Sequence, residues 1–326
     1  MGHHPGVPFF YLFKGNPMIT PDPIQAGATF AVISPASAPK PEKLDRGLDY
    51  LRSKGYKIKE GPNLRGKNKY LAGHGPEQLA DIHWAFEDDE VDAIICSRGG
   101  YGTPRFLDDL DYELIAQHPK FFIGYSDITA LQCALAVETG LVSISGVMAA
   151  VEMAAEEGID PYTEEVFWNL ITKPMLGQVL KNPSDMPNAI LSNGQGEGPL
   201  VGGCFSLFNN LMGTPYFPDV TGGIMVLEDI GENAQHLDRM LSQFKMAGFF
   251  HGDQRINGLM LGQFTDTWEH ADEDDFLLEE MVSDIIGPVE FPIVSSVAYG
   301  HGMRKMTLPL GANVNLNGDT GSLTLI

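Results

Sequence analysis

The sequence predicts an α/β protein: an N-terminal domain built on a parallel sheet and a smaller mixed α/β C-terminal domain. Three observations carry that expectation. Short apolar runs alternate with helical patterns through the first half of the chain. From Gly196 the character changes, glycine becomes frequent and short apolar runs dominate. The length of 326 residues suits two domains of roughly 150 residues each.

The elements follow in order. Residues 29–33 read as a strand that runs into the polar turn Ser34-Pro35-Ala36-Ser37. Residues 41–54 read as a helix, because Leu44, Leu48 and Leu51 recur at helical spacing. A strand over 56–60 and a helix over 76–87 come next, then a compact buried-strand pattern over 91–96. That run opens into Ser97-Arg98-Gly99-Gly100-Tyr101-Gly102. Residues 121–125 are the next strand and 127–139 the next helix. Strand and helix in alternation imply a parallel sheet with helices on its faces. A short helical pattern over 163–171 lies within a stretch punctuated by Pro and Asn, so 156–195 reads as a connection. Beyond it, apolar runs at 224–227, 256–261, 293–298 and 314–316 are strand candidates, and 234–247 is one clear helix closed by Gly248. The expected divisions are an extension over 1–27, a first domain over 28–155, the connection, and a second domain over 196–326.

Composition removes several classes of function. The net charge is −22, from 21 basic and 43 acidic side chains, which repels nucleic-acid backbones and anionic membranes. The acidic run from Glu269 to Asp275, with Glu279 and Glu280, reads as a solvated face. No run approaches the 18 or so consecutive apolar residues of a membrane span. The start has an apolar patch over 7–13 without a basic flank or evident cleavage site, so no signal peptide is expected. Cys96, Cys133 and Cys204 are widely spaced and form no CxxC. That argues against a disulfide framework or a zinc site and fits a reducing cytoplasm. No metal or cofactor is expected.

Three segments place polar residues just past strand-like runs, where open α/β sheets bind ligands. In Gly124-Tyr125-Ser126-Asp127 an apolar strand stops at Ser126 and a helix begins at once. A serine on such a nucleophile-elbow-like turn projects its hydroxyl at a helix N-terminus. The sequence is not GxSxG, and the same pattern suits a plain N-cap at Ser126 or Asp127. The loop Ser97 to Gly102 has three glycines in four positions, which suits an oxyanion hole, a phosphate loop or an ordinary turn. Glu228 ends the run from Gly223, and His301 stands between Gly300 and Gly302 after another run. An imidazole can take a serine proton near neutral pH, and a carboxylate on its far nitrogen would fix its tautomer. Capping and turn roles fit Glu228 and His301 as well. His83 and His118 read as surface or satisfied residues, His236 as a neighbour of the site, and His251 and His270 as loop residues.

Taken together, these segments resemble the LD-carboxypeptidase family of serine peptidases, which includes the microcin C immunity peptidases. The resemblance runs from about Thr29 to near the C-terminus. It rests on Val32 to Ser37, Tyr70-Leu71-Ala72-Gly73, Ser97 to Gly102, Gly124 to Thr129, Gly202-Gly203, Gly213-Thr214-Pro215, Leu227 to Ile230, Asp238 to Leu241, and Gly300-His301-Gly302 followed by Thr307 to Gly311. Each motif alone is weak; their shared order is specific. Where many relatives have Asn after the paired glycines, this chain has Cys204.

The resemblance implies an active site between the two domains, with a Ser126, His301 and Glu228 triad and backbone N–H groups of Gly100 and Asp127, and less firmly Gly99, as the oxyanion hole. It implies a cytoplasmic homodimer that cuts the L,D-peptide bond of murein tetrapeptides and releases terminal D-alanine. A carboxypeptidase needs a cation for the substrate's carboxylate, and Arg98, Arg105, Arg239 and Arg304 are the candidates. Arg98, Arg304 and Tyr101 are the expected substrate contacts. Two other readings stand beside this one. One is hydrolysis of peptidyl or aminoacyl nucleotides, as in the microcin branch. The other is a non-catalytic peptide-binding protein on the same scaffold.

Overall fold

The computed structural model describes residues 17–268 and 275–326. The apolar patch over 7–13, His270 and most of the acidic run from Glu269 lie outside the described residues.

The first half alternates as expected. In order come β1 (Thr29–Ile33), α1 (Pro41–Ser53), β2 (Lys57–Glu60), α2 (Gly75–Glu87), β3 (Ala93–Cys96), α3 (Tyr112–Gln117), β4 (Phe121–Gly124), α4 (Thr129–Thr139), β5 (Ser143–Ser145) and α5 (Pro161–Thr172). Strands β1, β3 and β4 are buried along their whole length. That is why they read as continuous apolar runs and not as alternating ones: a parallel sheet is covered on both faces. Helix α1 lays Leu44, Leu48 and Leu51 on the core. A Pro in the first turn suits its start, because that N–H has no intrahelical partner.

The rest contributes β6 (Val179–Leu180), β7 (Ala189–Ser192), β8 (Gln195–Cys204), α6 (Phe205–Asn210), β9 (Ile224–Ile230), α7 (Ala234–Met246), β10 (Gly258–Thr265), α8 (Leu278–Met281), β11 (Ile293–Ser295), β12 (Leu308–Leu310), β13 (Asn313–Asn317) and β14 (Ser322–Leu325). The first sheet has the order β12-β5-β4-β3-β1-β2, and the second β6-β14-β13-β8-β9-β10-β11-β7. In the second sheet β8 to β11 pair in parallel, and the flanking strands pair antiparallel.

Two features differ from the sequence expectation. The segment 156–195 supplies both outer strands of the second sheet, β6 and β7, besides α5. Strands of two and four residues carry too few alternations to be read from periodicity. The C-terminal segment also returns β12 to the first sheet, where Leu308–Leu310 pairs antiparallel with β5. The two domains are therefore laced together by main-chain hydrogen bonds.

Helix α4 explains how they meet. Every residue of it but Glu138 is buried, and a helix apolar on all sides needs cover on all sides. The first sheet covers one side, and β8 with α6 covers another. The Cys204 N–H donates to Thr129 Oγ1 at 3.0 Å. One apolar cluster runs from Ile94 and Phe122 through Leu131 to Phe205 and Leu227. The helix that starts at the Ser126 turn is thus the wedge on which the second sheet rests.

Candidate active site

Strand β4 ends at Gly124, and the chain turns through Ser126 into a short 3-10 turn before α4. Ser126 has φ +65°. A non-glycine residue there is uncommon and stores strain of about 1–3 kcal/mol. The turn is pressed against the loop that follows β3. A Cβ on Gly99 would stand 2.8 Å from Ser126 Cβ and 3.1 Å from its Oγ. Only glycine lets that backbone pass so close to the serine.

Asp127 locks the two loops together. Its carboxylate accepts the N–H of Thr103 at 2.9 Å and of Gly102 at 3.2 Å, and its carbonyl accepts the Thr103 hydroxyl at 2.6 Å. Burial pushes its carboxyl above the usual range, and those hydrogen bonds oppose the shift. Ser37, from the turn after β1, adds a third strap: its Oγ accepts the Tyr101 N–H at 3.2 Å. Among the described residues, the N–H groups of Gly99, Gly100 and Asp127 take no hydrogen-bond partner.

The second sheet brings a histidine and a carboxylate. Glu228 lies on β9 with its side chain fully buried. Its Oε2 is 2.7 Å from Nδ1 of His301, whose side chain is 12% exposed. With Glu228 as a carboxylate, which only accepts, Nδ1 is the donor of this hydrogen bond and Nε2 is the ring nitrogen left to face the cleft's chemistry. Glu228 Oε1 has no partner among the described residues, so the carboxylate is committed to His301. Gly300 makes room for it: with φ +118°, its added Cβ would fall 2.5 Å from Glu228 Oε2. Neighbouring residues on a strand face opposite ways, and Asp229 accordingly turns to the Ser206 and Ile230 N–H groups, at 2.7 and 2.8 Å. Burial raises its carboxyl also.

The two halves meet at Tyr125. Its ring lies edge-on to His301, centroids 5.0 Å apart, and Ser126 is the next residue. Among the described residues, the His301 side chain bonds Glu228, and no hydrogen bond joins it directly to Ser126.

The candidate cations separate. Arg98 Nε bonds the Gly99 carbonyl at 3.1 Å, and its guanidinium has no carboxylate partner among the described residues. Arg304 is held by Asp185 through Nη1 at 2.5 Å and by Asp160 through Nε at 3.3 Å. Arg239 bonds the Gln235 carbonyl on its own helix, and Arg105 is exposed. Tyr101 is 57% exposed and packs edge-on to Tyr70, centroids 5.5 Å apart. His83 accepts the Asp111 N–H, His236 pairs with Glu232, and His251 meets the Ile286 carbonyl. Sequence reasoning missed the strapping role of Ser37; its place in the motif after β1 was the available signal. No metal-binding group of side chains occurs among the described residues, nor is any helix there long and apolar enough to cross a membrane.

Comparison with known proteins is consistent across three measures. The family models of the LD-carboxypeptidase N-terminal and C-terminal domains match residues 30–146 and 197–316. The probable murein peptide carboxypeptidase of Bacillus subtilis (strain 168) is 36% identical, over 91% of each chain. The crystal structure of a muramoyltetrapeptide carboxypeptidase from Oxalobacter formigenes is 30% identical, with a TM-score of 0.78 over 91% of this chain and 98% of that one. The microcin C7 self-immunity protein MccF of Escherichia coli is 23% identical over 96% of this chain and 97% of its own length.

Proposed function

The chain belongs to the LD-carboxypeptidase family of serine-type carboxypeptidases, and from that premise we propose that it releases terminal D-alanine from murein tetrapeptides through Ser126, His301 and Glu228. The observation that carries the mechanism is the 2.7 Å hydrogen bond between His301 and a wholly buried Glu228, beside a serine in left-handed backbone. A buried carboxylate with one partner and an idle second oxygen is costly and of little use to packing, but it suits stabilisation of an imidazolium.

Ser126 Oγ attacks the carbonyl carbon of the scissile bond while His301 Nε2 takes its proton. The carbonyl oxygen becomes an oxyanion, and the N–H groups of Gly100 and Asp127 receive it. The imidazolium, held by Glu228, gives its proton to the departing amine of D-alanine. Water then attacks the acyl-serine, with His301 as base again, and frees Ser126. Arg98, which stands on this loop and meets no carboxylate among the described residues, binds the terminal carboxylate of the substrate. Arg304, already held by Asp160 and Asp185, is the less suitable cation. Tyr101 forms part of the rim of the cleft.

The murein assignment draws on the named substrates of the more similar relatives. The homodimer and the cytoplasmic setting belong to the same proposal, and three buried free thiols suit a reducing compartment. The test is D-alanine release from purified murein tetrapeptide by the native chain and by Ser126→Ala. Release that vanishes in the variant is expected. A folded native chain that releases none would sink the murein assignment and favour an aminoacyl-nucleotide substrate.

A further inference from the structure

Nucleophile and base come from different domains, so something has to hold the loop that carries His301 against the turn that carries Ser126. A buried polar cluster built on Tyr125, with two charged residues not used so far, spans that gap. Lys305 Nζ donates to Tyr125 Oη at 2.8 Å and to Glu152 Oε1. Tyr125 Oη donates to the same Glu152 oxygen at 2.8 Å. The other Glu152 oxygen accepts the Met148 N–H at 2.9 Å. The side chains of Lys305 and Glu152 are 3% and 9% exposed.

The placement of these groups is what matters. Tyr125 immediately precedes Ser126, and Lys305 lies four residues beyond His301. The Lys305 ammonium sits 4.0 Å from the Tyr125 ring centroid, and that ring also meets the His301 ring. One phenol therefore touches both ends of the His301 loop. Glu152 comes from a third segment. The turn before it is tied to the end of β3, where Ala149 and Ala150 donate to the carbonyls of Cys96 and Ser97 at 3.1 and 2.7 Å. The glycine loop begins at that point. The Lys305 N–H is held in turn by Thr163 Oγ1 at 2.9 Å.

An ion pair taken out of water recovers its desolvation cost only with good geometry, and well-packed apolar side chains often do as well for stability. Catalysis is more demanding, since a misplacement of about 1 Å can cost about 100-fold in rate. We infer that Lys305 and Glu152 are positioning residues, which clamp the Tyr125 ring and so fix His301 of the second domain against Ser126 of the first.

This inference rests on the reading of Ser126 and His301 given above. Its test compares Lys305→Met, the double variant Glu152→Gln/Lys305→Met and Lys305→Arg with the native chain and Ser126→Ala. The readings are kcat and KM on murein tetrapeptide, the rate at which a fluorophosphonate labels Ser126, and the melting temperature. The double variant leaves no unpaired buried charge, so it is expected to fold even where Lys305→Met is unstable. In it, kcat and the labelling rate fall about 30–100-fold while KM moves less than about threefold. Lys305→Arg, which keeps the charge, recovers part of the loss. A folded double variant with native kcat and labelling rate would overturn the inference, and so would a loss confined to KM. Labelling that depends on Ser126 but ignores the Lys305 variants sinks the clamp alone. Undiminished labelling of Ser126→Ala would sink the catalytic reading itself.

Discussion

The two halves of the site are built by opposite means. On the first sheet the site comes from backbone: a serine held at φ +65° and a glycine loop strapped by Asp127 and Ser37. On the second sheet it comes from side chains: a buried carboxylate pressed on an imidazole, with Gly300 leaving space for the contact. In the proposed mechanism neither half performs acyl transfer alone: the first would offer strain and donors without a base, the second a base without a nucleophile. The difference teaches where each half should be fragile. The first half should fail when its turn relaxes, the second when its one hydrogen bond is lost.

Glu228→Gln is the substitution with the largest expected effect. The variant keeps the shape but upsets the tautomer of His301, and kcat is expected to fall roughly 10³–10⁴-fold with KM little changed. Steady-state kinetics decides this, and a loss below tenfold would mean that the buried pair is structural. Gly300→Ala attacks the same bond sterically. The added methyl has to displace Glu228 Oε2 or the loop, and kcat should drop about 100-fold. On the first-sheet side, Arg98→Met removes a cation that no carboxylate of the described residues engages. KM should rise about 10–100-fold with kcat nearly unchanged, the worth of a charge-assisted contact.

A smaller effect sharpens the contrast further. Ser126→Gly relieves the left-handed strain, so the inactive variant should be more stable than the native chain by about 1 kcal/mol. Denaturant unfolding measures it; a destabilised variant would mean that the turn is not strained. The least effect is expected at the thiols. Burial raises all three above the ordinary range, Cys133 to about 12. Their thiolate fraction at pH 8 is therefore very small, and alkylation should begin only as the chain unfolds.

How much of this was legible in the sequence follows the same division. Strands β1, β3 and β4 were legible because burial on both faces leaves an unbroken apolar run, and Ser126 because such a run stops at it. Glu228 and His301 were marked by the runs before them and by the glycines around His301. The outer strands β6 and β7 were not legible. They are short, and their pairing with β14 and β11 is a tertiary fact without a local pattern. Strand β8 hid behind its glycines, which let it lie against β9: a Cβ on Gly202 would stand 1.9 Å from the Val226 carbonyl oxygen. The cluster of Tyr125, Glu152 and Lys305 had no local signal either, since its members are separated by up to 180 positions. That Arg304 is already committed depended on Asp160 and Asp185 reaching it, contacts that spacing does not encode.

If two domains together activate one serine, its reactivity must depend on the histidine of the other domain. Mass-spectrometric mapping of the residue modified by a fluorophosphonate, in the native chain, in His301→Ala and in Glu228→Gln, decides this. Modification at Ser126 is expected in the folded native chain, slowed at least about 100-fold in His301→Ala and to a lesser degree in Glu228→Gln. Modification elsewhere, or labelling of Ser126 at the native rate without His301, would contradict that expectation.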